Sequence, residues 1–503
     1  MFLAFRPPLA AFTIISMPHR TLADFLEELG RAGELAPVDA EVDPCLEVAE
    51  ITRRVARRAG PALLFRCVKG YDLPLLTNLL GSELRICRAL GVETIDEATD
   101  RVDRGLNSSG SEGWLERLRF GARNGAAASF AANRVKSGAC QQIVRLGGDV
   151  DLEELPCPQS GVEVKTPAIP AATVLSAEPD SHAQIFLQGD LQISSRDRLT
   201  AAWSDIAAAM PLFQEYASRQ AQMPIAVVIG GDPAVHLAAA APMPAAVDPL
   251  GLAGMLREKP LDAVACRSID LLAPAEADIV IEGHIDPADA ETRAAPRFSP
   301  SGRIIADQPG YTIHVTAVTH RANRIFPATI AGPDCHEVCL RDRIMSRAFL
   351  PLLKLRIPEL VDFDLPLSGG ARHLAVLAIR KTYAGQAHQV ATVAWGMRPF
   401  CFAKMLVIVD AEVDVCDAGQ VWAAIAHEAH PVRDVWLHSA PPDPLDPALT
   451  GDVLGRRMAI DATRKFAAEG CASRPRNASS DSEMEKLVTQ RWNEYGLGPE
   501  ADR

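Results

Sequence analysis

Apolar positions near the start of the chain follow a helical period and then give way to short apolar runs. Residues 21–35 carry the helical spacing, in Leu22, Phe25, Leu26 and Leu29. Asp43 followed by Pro44 predicts the start of a second helix, which we expect to end at Gly60. The runs 62–65 and 75–80 are short and apolar, as strands are. This part of the chain therefore follows an α/β pattern.

Strand patterns dominate from residue 141 to about residue 320. Short β-branched runs over 225–229 and 279–282 adjoin glycines and predict strands. Residues 230–233 read Gly-Gly-Asp-Pro, which predicts a tight turn that ends one strand and opens a helix. We therefore expect a β-rich middle domain.

Alternating elements return after Ala322. The pattern predicts a helix over 337–354, strands over 374–379 and 405–409, and a helix over 420–428. A last helix is expected to begin at Ser480, because Glu483 three residues later completes a capping box. Its apolar face has to cover an apolar surface of this chain or of a partner. That face consists of Met484, Leu487, Val488, Trp492 and Tyr495.

These shifts of pattern divide the chain into segments. Residues 107–140 are rich in Gly, Ser, Ala and Arg, which predicts a connection between domains. The expected segments are a disordered extension or early start at 1–16, an N-terminal α/β domain at 17–106, a linker at 107–140, a central domain at 141–321, a C-terminal α/β domain at 322–470, a linker at 471–479 and a C-terminal helix at 480–503.

Composition limits the classes of function. The formal charge of −13 argues against a nucleic-acid partner, because phosphate binding needs a positive surface. The 11 cysteines form no CxxC pair, as expected for reduced thiols rather than disulfides. No apolar stretch is long enough to span a bilayer, so we expect a cytoplasmic protein without a membrane span.

Several blocks of sequence match one family in their order. The N-terminal blocks read LADFLEELGRAGELAPVDAEVDPCLEVAEITRRV, GPALLF and VKGYDLPLLTNLLG. The C-terminal blocks read KTYAGQAHQV, KMLVIVDAEVDV, WAAIAHEAHPVRD, MAIDATRKF and LVTQRWNEYGL. With them the chain resembles the UbiD family of prenylated-flavin-dependent (de)carboxylases over about residues 22–497. The resemblance implies an α/β (α+β) fold in three parts, in which a central split β-barrel of the flavin-binding type is flanked by two α/β domains.

The resemblance also implies a chemistry. Loss of carbon dioxide from an aromatic or alkenyl acid leaves an unstable carbanion, so a cofactor has to act as an electron sink. Family members use prenylated FMN with Mn²⁺ and K⁺, an arginine for the substrate carboxylate, and acidic residues that move a proton. We therefore expect a small carboxylic acid as substrate, a flavin prenyltransferase as cofactor supplier, and a homo-oligomer, either a dimer or a hexamer.

The site motifs of the family are only partly present. Asp307 keeps the spacing of the family's acid from Gly310-Tyr311 and is the candidate proton-transfer residue. Asp190 falls in the flavin and carboxylate motif, where the arginine is expected. At about 4 Å it would repel a substrate carboxylate by about 4 kcal/mol. Ile185 and Ile206 take the positions of an Asn and a His metal ligand.

Two further positions match the family pattern. Glu258 stands where the third metal ligand lies, and Lys404 stands where a lysine approaches the flavin phosphate. Both also fit plainer roles, Glu258 as a solvated loop charge and Lys404 as a strand-edge residue. One carboxylate without its two partners is a poor metal site.

Two hypotheses follow. The first is a UbiD-like carboxy-lyase that carboxylates or decarboxylates an aromatic or α,β-unsaturated acid in a remodelled site. The second is a catalytically degenerate relative, or a partner subunit, that keeps the fold and the oligomer interface.

Overall fold

The computed structural model describes residues 19–107, 130–243, 247–289, 292–305, 308–441, 443–448, 455–470 and 481–496. The expected extension at 1–16, residues 108–129 of the first linker and the second linker at 471–479 lie outside these ranges. Within the described ranges, no helix is both long and apolar enough to cross a membrane.

The N-terminal part packs helices against a small sheet. Its helices are Leu22–Arg31, Glu47–Ala56, Glu83–Leu90 and Ile95–Asn107, and its strands are β1 (Leu35–Val38), β2 (Ala62–Phe65) and β3 (Leu75–Thr77). Thr21 caps the first helix by accepting a hydrogen bond from the Asp24 N–H. The second helix begins four residues later than Asp43, because the Asp43 carboxylate accepts the Cys45 N–H in a local turn instead of capping a helix.

The central part is a β-barrel with short additions. Its strands are β4 (Asn133–Val135), β5 (Ile143–Leu146), β6 (Ala168–Ala177), β7 (Gln184–Ser195), β8 (Arg198–Trp203), β9 (Met223–Ile229), β10 (Asp262–Ala265), β11 (Leu272–Pro274), β12 (Ile279–Ile285), β13 (Thr292–Ala294), β14 (Arg297–Phe298), β15 (Ile304–Ile305) and β16 (Gln308–His320). Its helices are Ile206–Ser218, Pro233–Ala240 and Pro249–Leu256. The Gly-Gly-Asp-Pro turn links β9 to the helix Pro233–Ala240, as predicted.

Six of these strands close into a barrel. Their order is β12, β9, β6, β7, β8 and β16, and antiparallel pairing of β16 with β12 completes the ring. Every second side chain points inward, so the β-branched and leucine positions fill the interior. This confirms the expected three-part fold with a barrel at its centre.

The C-terminal part is a five-stranded sheet between helices. Its strands are β18 (Leu360–Asp364), β19 (Leu374–Ile379), β20 (Met405–Asp410), β21 (Val435–Ala440) and β22 (Gly455–Ala462), and the two-residue strand β17 (Phe326–Pro327) joins the N-terminal sheet. Its helices are Glu337–Ala348, Leu350–Lys354, Gln386–Trp395, Ala418–Glu428 and Ser482–Gln490.

Two helix predictions for this part need correction. The single helix predicted over 337–354 is divided after Ala348. Pro351 has no N–H to donate, and in a continuous helix its ring would clash with a backbone carbonyl of the preceding turn. The last helix begins at Ser482, since its N-cap is Asp481, whose carboxylate accepts the Glu483 N–H at 2.8 Å.

Candidate active site

A large cavity lies where the barrel meets the C-terminal part. It encloses about 1560 Å³ of atom-free space, part of which opens to solvent, and this is ample for a small-molecule ligand. The central part contributes residues of the barrel strands β6 and β7 and of β14, and the C-terminal part contributes residues around positions 370–372 and 398–402. Several lining residues have small side chains, which leave this space open: Ala168, Ala171, Ala240, Ala241 and Ala331.

Side chains of β7 alternate between the two faces of the strand, and this alternation decides which of them reach the cavity. Gln188, Asp190 and Gln192 are spaced by two and line it. The intervening positions point into the barrel core, where Ile185 is 3% exposed. Asp190 therefore faces the cavity, whereas Ile185 faces the opposite side of the strand.

Gln192 fixes the segment that faces β7. Its amide oxygen accepts the Ala295 N–H at 2.7 Å, and its amide nitrogen donates to the Ala295 carbonyl at 2.8 Å. Two residues further along, β14 begins with Arg297, whose side chain is thereby brought opposite Asp190. The turn after β14 is closed by the Ser299 hydroxyl, which accepts the Arg303 N–H.

Asp190 and Arg297 form an ion pair in which the arginine is buried and the aspartate is partly buried. The Arg297 Nη1 donates to Asp190 Oδ2 at 2.8 Å, and Arg297 is only 4% exposed. The expectation that Asp190 presents an uncompensated anion to the substrate is therefore wrong, because a guanidinium from another strand neutralises it. The cavity has an arginine beside this position, supplied by β14 rather than by β7.

Asp190 also holds a bulge in β6. Its Oδ1 accepts the N–H of Ala171 at 2.8 Å, where the register of β6 against β7 shifts. Ala171 has a φ of 48°, a left-handed conformation that disfavours any residue with a Cβ. Bulges next to active sites commonly re-aim side chains, and this carboxylate fixes both the bulge and the guanidinium.

Two buried N–H groups in the cavity lining have no hydrogen-bond acceptor among the described residues. They are Nε of Arg297 and Nε2 of Gln188. A buried donor without an acceptor is costly, which makes such a group a natural contact for a ligand oxygen. Each of these two donors can contact a carboxylate or a ring carbonyl.

The C-terminal part brings Arg372 to the same cavity. Arg372 Nε and Nη2 donate to the two oxygens of Asp443 at 2.5 and 3.0 Å, and its guanidinium stacks 3.9 Å from the Phe402 ring centre. Nη2 also donates to the Ser204 carbonyl of the central part at 2.9 Å. Burial acts to raise the pKa of Asp443, but Arg372 and a hydrogen bond to His373 outweigh it and hold that pKa below its ordinary value.

Arg398 and Arg341 complete the cationic lining. Arg398 contacts Asp205, and burial lowers the pKa of Arg398. Arg341 donates to Asp342, its neighbour in the helix Glu337–Ala348. Each cavity arginine therefore has its own carboxylate partner.

Two of the other predicted site residues, Glu258 and Lys404, lie outside the cavity lining. Glu258 is exposed and pairs with Arg101 at 3.6 Å, and Lys404 pairs with Asp446 at 2.7 Å. Asp307 lies outside the described residues, so its catalytic role stays a prediction.

A metal-held phosphate does not fit the described residues. No three His, Cys, Asp or Glu side chains gather at metal-ligand distances in the described part of the chain. Ile185 belongs to the barrel core and Ile206 starts a helix, and neither side chain has a donor atom. We therefore assign no step to a metal.

Three family models cover most of the chain. They describe the 3-octaprenyl-4-hydroxybenzoate carboxy-lyase N-terminal domain, matched by residues 26–104, its Rift-related domain, matched by 133–334, and its C-terminal domain, matched by 341–462. The chain belongs to the UbiD family. An uncharacterized protein of Aquifex aeolicus is 32% identical to this UbiD-family chain over 95% of its length and 99% of the relative's.

Solved UbiD-class structures share the fold. HmfF from Pelotomaculum thermopropionicum, in complex with FMN, is 27% identical, with a TM-score of 0.74 over 93% of this chain and 99% of that one. The closed form of vanillic acid decarboxylase from Sedimentibacter hydroxybenzoicus is 24% identical, with a TM-score of 0.82 over 95% and 99%. The family and the fold support a carboxy-lyase.

Sequence reasoning missed Gln188, Arg297 and Arg372. One signal was available for Arg297, since an aspartate at an arginine position raises the question of a compensating cation elsewhere. Arg297 was one candidate for that cation, although Arg293 and Arg303 lie close to it in the sequence. Nothing in the sequence linked Arg372 to the site.

Proposed function

We propose that this UbiD-family protein is a carboxy-lyase that removes or adds a carboxyl group on an aromatic or α,β-unsaturated acid bound in the cavity. The observation that carries the proposal is the Asp190–Arg297 pair, which returns a guanidinium to a site whose sequence had lost one. The unpartnered donors Arg297 Nε and Gln188 Nε2 provide the contacts that a carboxylate needs.

The chain's own residues would bind and orient the acid. Arg297 and Gln188 donate to the carboxylate, while Asp190 fixes the guanidinium without touching the substrate. Asp307 is proposed to return a proton to the substrate carbon after carbon dioxide leaves. The small alanine side chains of the lining leave room for a flat ring. Prenylated FMN, when bound there, supplies the electron sink.

We also propose a homo-oligomer formed through the C-terminal part. The helix Ala418–Glu428 is rich in alanine, and its Trp422 is 66% exposed. On the neighbouring edge strand, Leu437 is 67% exposed. Apolar surface of this kind is typical of interfaces. Sedimentation of the purified protein would test it, and a monomer at micromolar concentration would contradict it.

The missing metal ligands favour a second candidate, a subunit that keeps the scaffold without the chemistry. The two candidates differ in one experiment, in which the protein is produced with and without a flavin prenyltransferase. Its visible spectrum is recorded, and loss of sorbate and benzoate is followed by chromatography. A carboxy-lyase shows a flavin band and consumes at least one acid in a panel of aromatic and α,β-unsaturated acids that includes sorbate and benzoate. Arg297→Lys should slow this consumption.

The matched control is Arg324→Lys, since Arg324 is also paired with a carboxylate, that of Glu154 at 3.2 Å, and lies outside the cavity lining. Protein that carries the flavin but consumes no acid, or that stays colourless after co-production, would contradict the carboxy-lyase proposal and favour the scaffold.

A further inference from the structure

Arg372 is held more rigidly than an arginine that only neutralises a carboxylate needs to be. The Asp443 carboxylate accepts two hydrogen bonds from the Arg372 guanidinium, and the Ser204 carbonyl accepts a third. The Phe402 ring stacks against the plane of the guanidinium. Such a fork geometry is typical of planar recognition of carboxylate or phosphate. Its remaining nitrogen, Nη1, has no acceptor among the described residues, and the side chain lines the cavity.

The cavity therefore has two oriented guanidinium groups from different parts of the chain. Arg297 comes from β14 of the central part, and Arg372 comes from the loop before β19. Each is fixed by an aspartate that occupies other nitrogens of the group, which leaves donors free on both. A ligand with one carboxylate would contact one of these two guanidinium groups and leave the free donors of the other without an acceptor.

The remaining cavity arginines are less suited to a second acidic group. Arg398 is buried against Asp205, and burial lowers its pKa. Arg341 pairs with the adjacent Asp342, which is 37% exposed, and it lies at the junction with a second, mainly apolar cavity. Arg372 alone among the three is fixed by a bidentate carboxylate, a backbone carbonyl and an aromatic ring.

We propose that Arg372 is a second anion-recognition residue and that the preferred substrate carries two acidic groups, one bound at Arg297 and one at Arg372. The inference rests on the proposed function and narrows its substrate class to dicarboxylic or otherwise doubly acidic unsaturated compounds. The acidic group at Arg372 stays intact and orients the molecule, while the carboxylate at Arg297 is the one that the reaction removes or adds. Because Arg372 also bonds Ser204, a ligand bound there adds to the contact between the two parts of the chain.

Two matched pairs of acids test the inference by calorimetry. The pairs are sorbate with trans,trans-muconate and benzoate with terephthalate, which differ within each pair chiefly in the second carboxylate. A charged hydrogen bond contributes about 1.5–3 kcal/mol, so the diacid of at least one pair should bind the wild-type protein about 10–150-fold more tightly. Arg372→Lys should remove most of that preference and leave monoacid binding within about threefold.

The controls separate this inference from the proposed function. Arg297→Lys should weaken the monoacid and the diacid together, and thermal melting checks that each variant is folded. Wild-type protein that binds both acids of each pair equally would overturn the two-acid inference while leaving the carboxy-lyase proposal standing. Wild-type protein that binds none of the four acids would overturn both. An undiminished diacid preference in folded Arg372→Lys would also remove Arg372 from recognition.

Discussion

Breaking the ion pair of Asp190 and Arg297 should cost the barrel more stability than any exposed ion pair could. At 2.8 Å the attraction is about 6 kcal/mol for an effective dielectric constant near 20, before the cost of desolvating both groups. Asp190→Asn keeps an oxygen for the Ala171 N–H but leaves a guanidinium that is 4% exposed without a counter-charge. Removing one partner of a buried pair typically costs about 3–5 kcal/mol, and we expect about 3 kcal/mol here.

A double-mutant cycle isolates the pair from its surroundings. Asp190→Asn, Arg297→Met and the double variant are compared by hydrogen exchange in peptides that cover β6 and β7. This local readout avoids assuming that the whole multidomain chain unfolds in one step. We expect the double variant to lose less than the sum of the single losses, with a coupling of at least about 1 kcal/mol. Additive losses, or an Asp190→Asn barrel as stable as wild type, would refute the ion pair as the organising contact of the site.

Three further outcomes are expected. Asp307→Asn should abolish turnover without lowering the melting temperature, and unchanged turnover would remove Asp307 from the mechanism. Burial lowers the pKa of His236 to about 4, so the fold holds the neutral ring and should lose up to about 3 kcal/mol as the pH falls from 6.5 towards 4. His236→Gln can keep the hydrogen bonds to Thr173 and Gly230, and it should flatten the pH dependence of stability in acid unfolding experiments. The same pH dependence in this variant would contradict the assignment of the stability loss to His236. Elemental analysis should find less than one manganese per chain, unchanged in Glu258→Gln, and a stoichiometric metal that this substitution removes would contradict our account of the metal site.

The secondary structure was largely predictable because local rules govern it. The helical spacing of residues 22–29 and the apolar runs at 62–65 and 374–379 gave elements at or near their observed bounds. Errors arose where one side chain had two possible partners, as at Asp43, or where a proline interrupted an otherwise regular period, as at Pro351. Closure of the barrel was beyond local rules, since it depends on pairing of β12 with β16. It was reached through the family resemblance.

The site was harder to predict than the fold because its contacts join distant positions. The sequence marked Asp190 as anomalous, but its effect was misjudged because the partner lies 107 residues away along the chain. Whether an aspartate repels or organises a ligand depends on what neutralises it, and that is a property of the tertiary structure. Arg372 and Asp443 are 71 residues apart and gave no local signal.

Sorbate and its uncharged amide provide the most direct measurement, because they have the same carbon skeleton and differ in charge. If Arg297 sets the electrostatic character of the cavity, the wild-type protein should bind the acid about tenfold more tightly than the amide, and Arg297→Gln should lose that preference. An amide that binds as tightly as the acid, or more tightly, would mean that the negative charge of Asp190 dominates and that the cavity is not built for carboxylates.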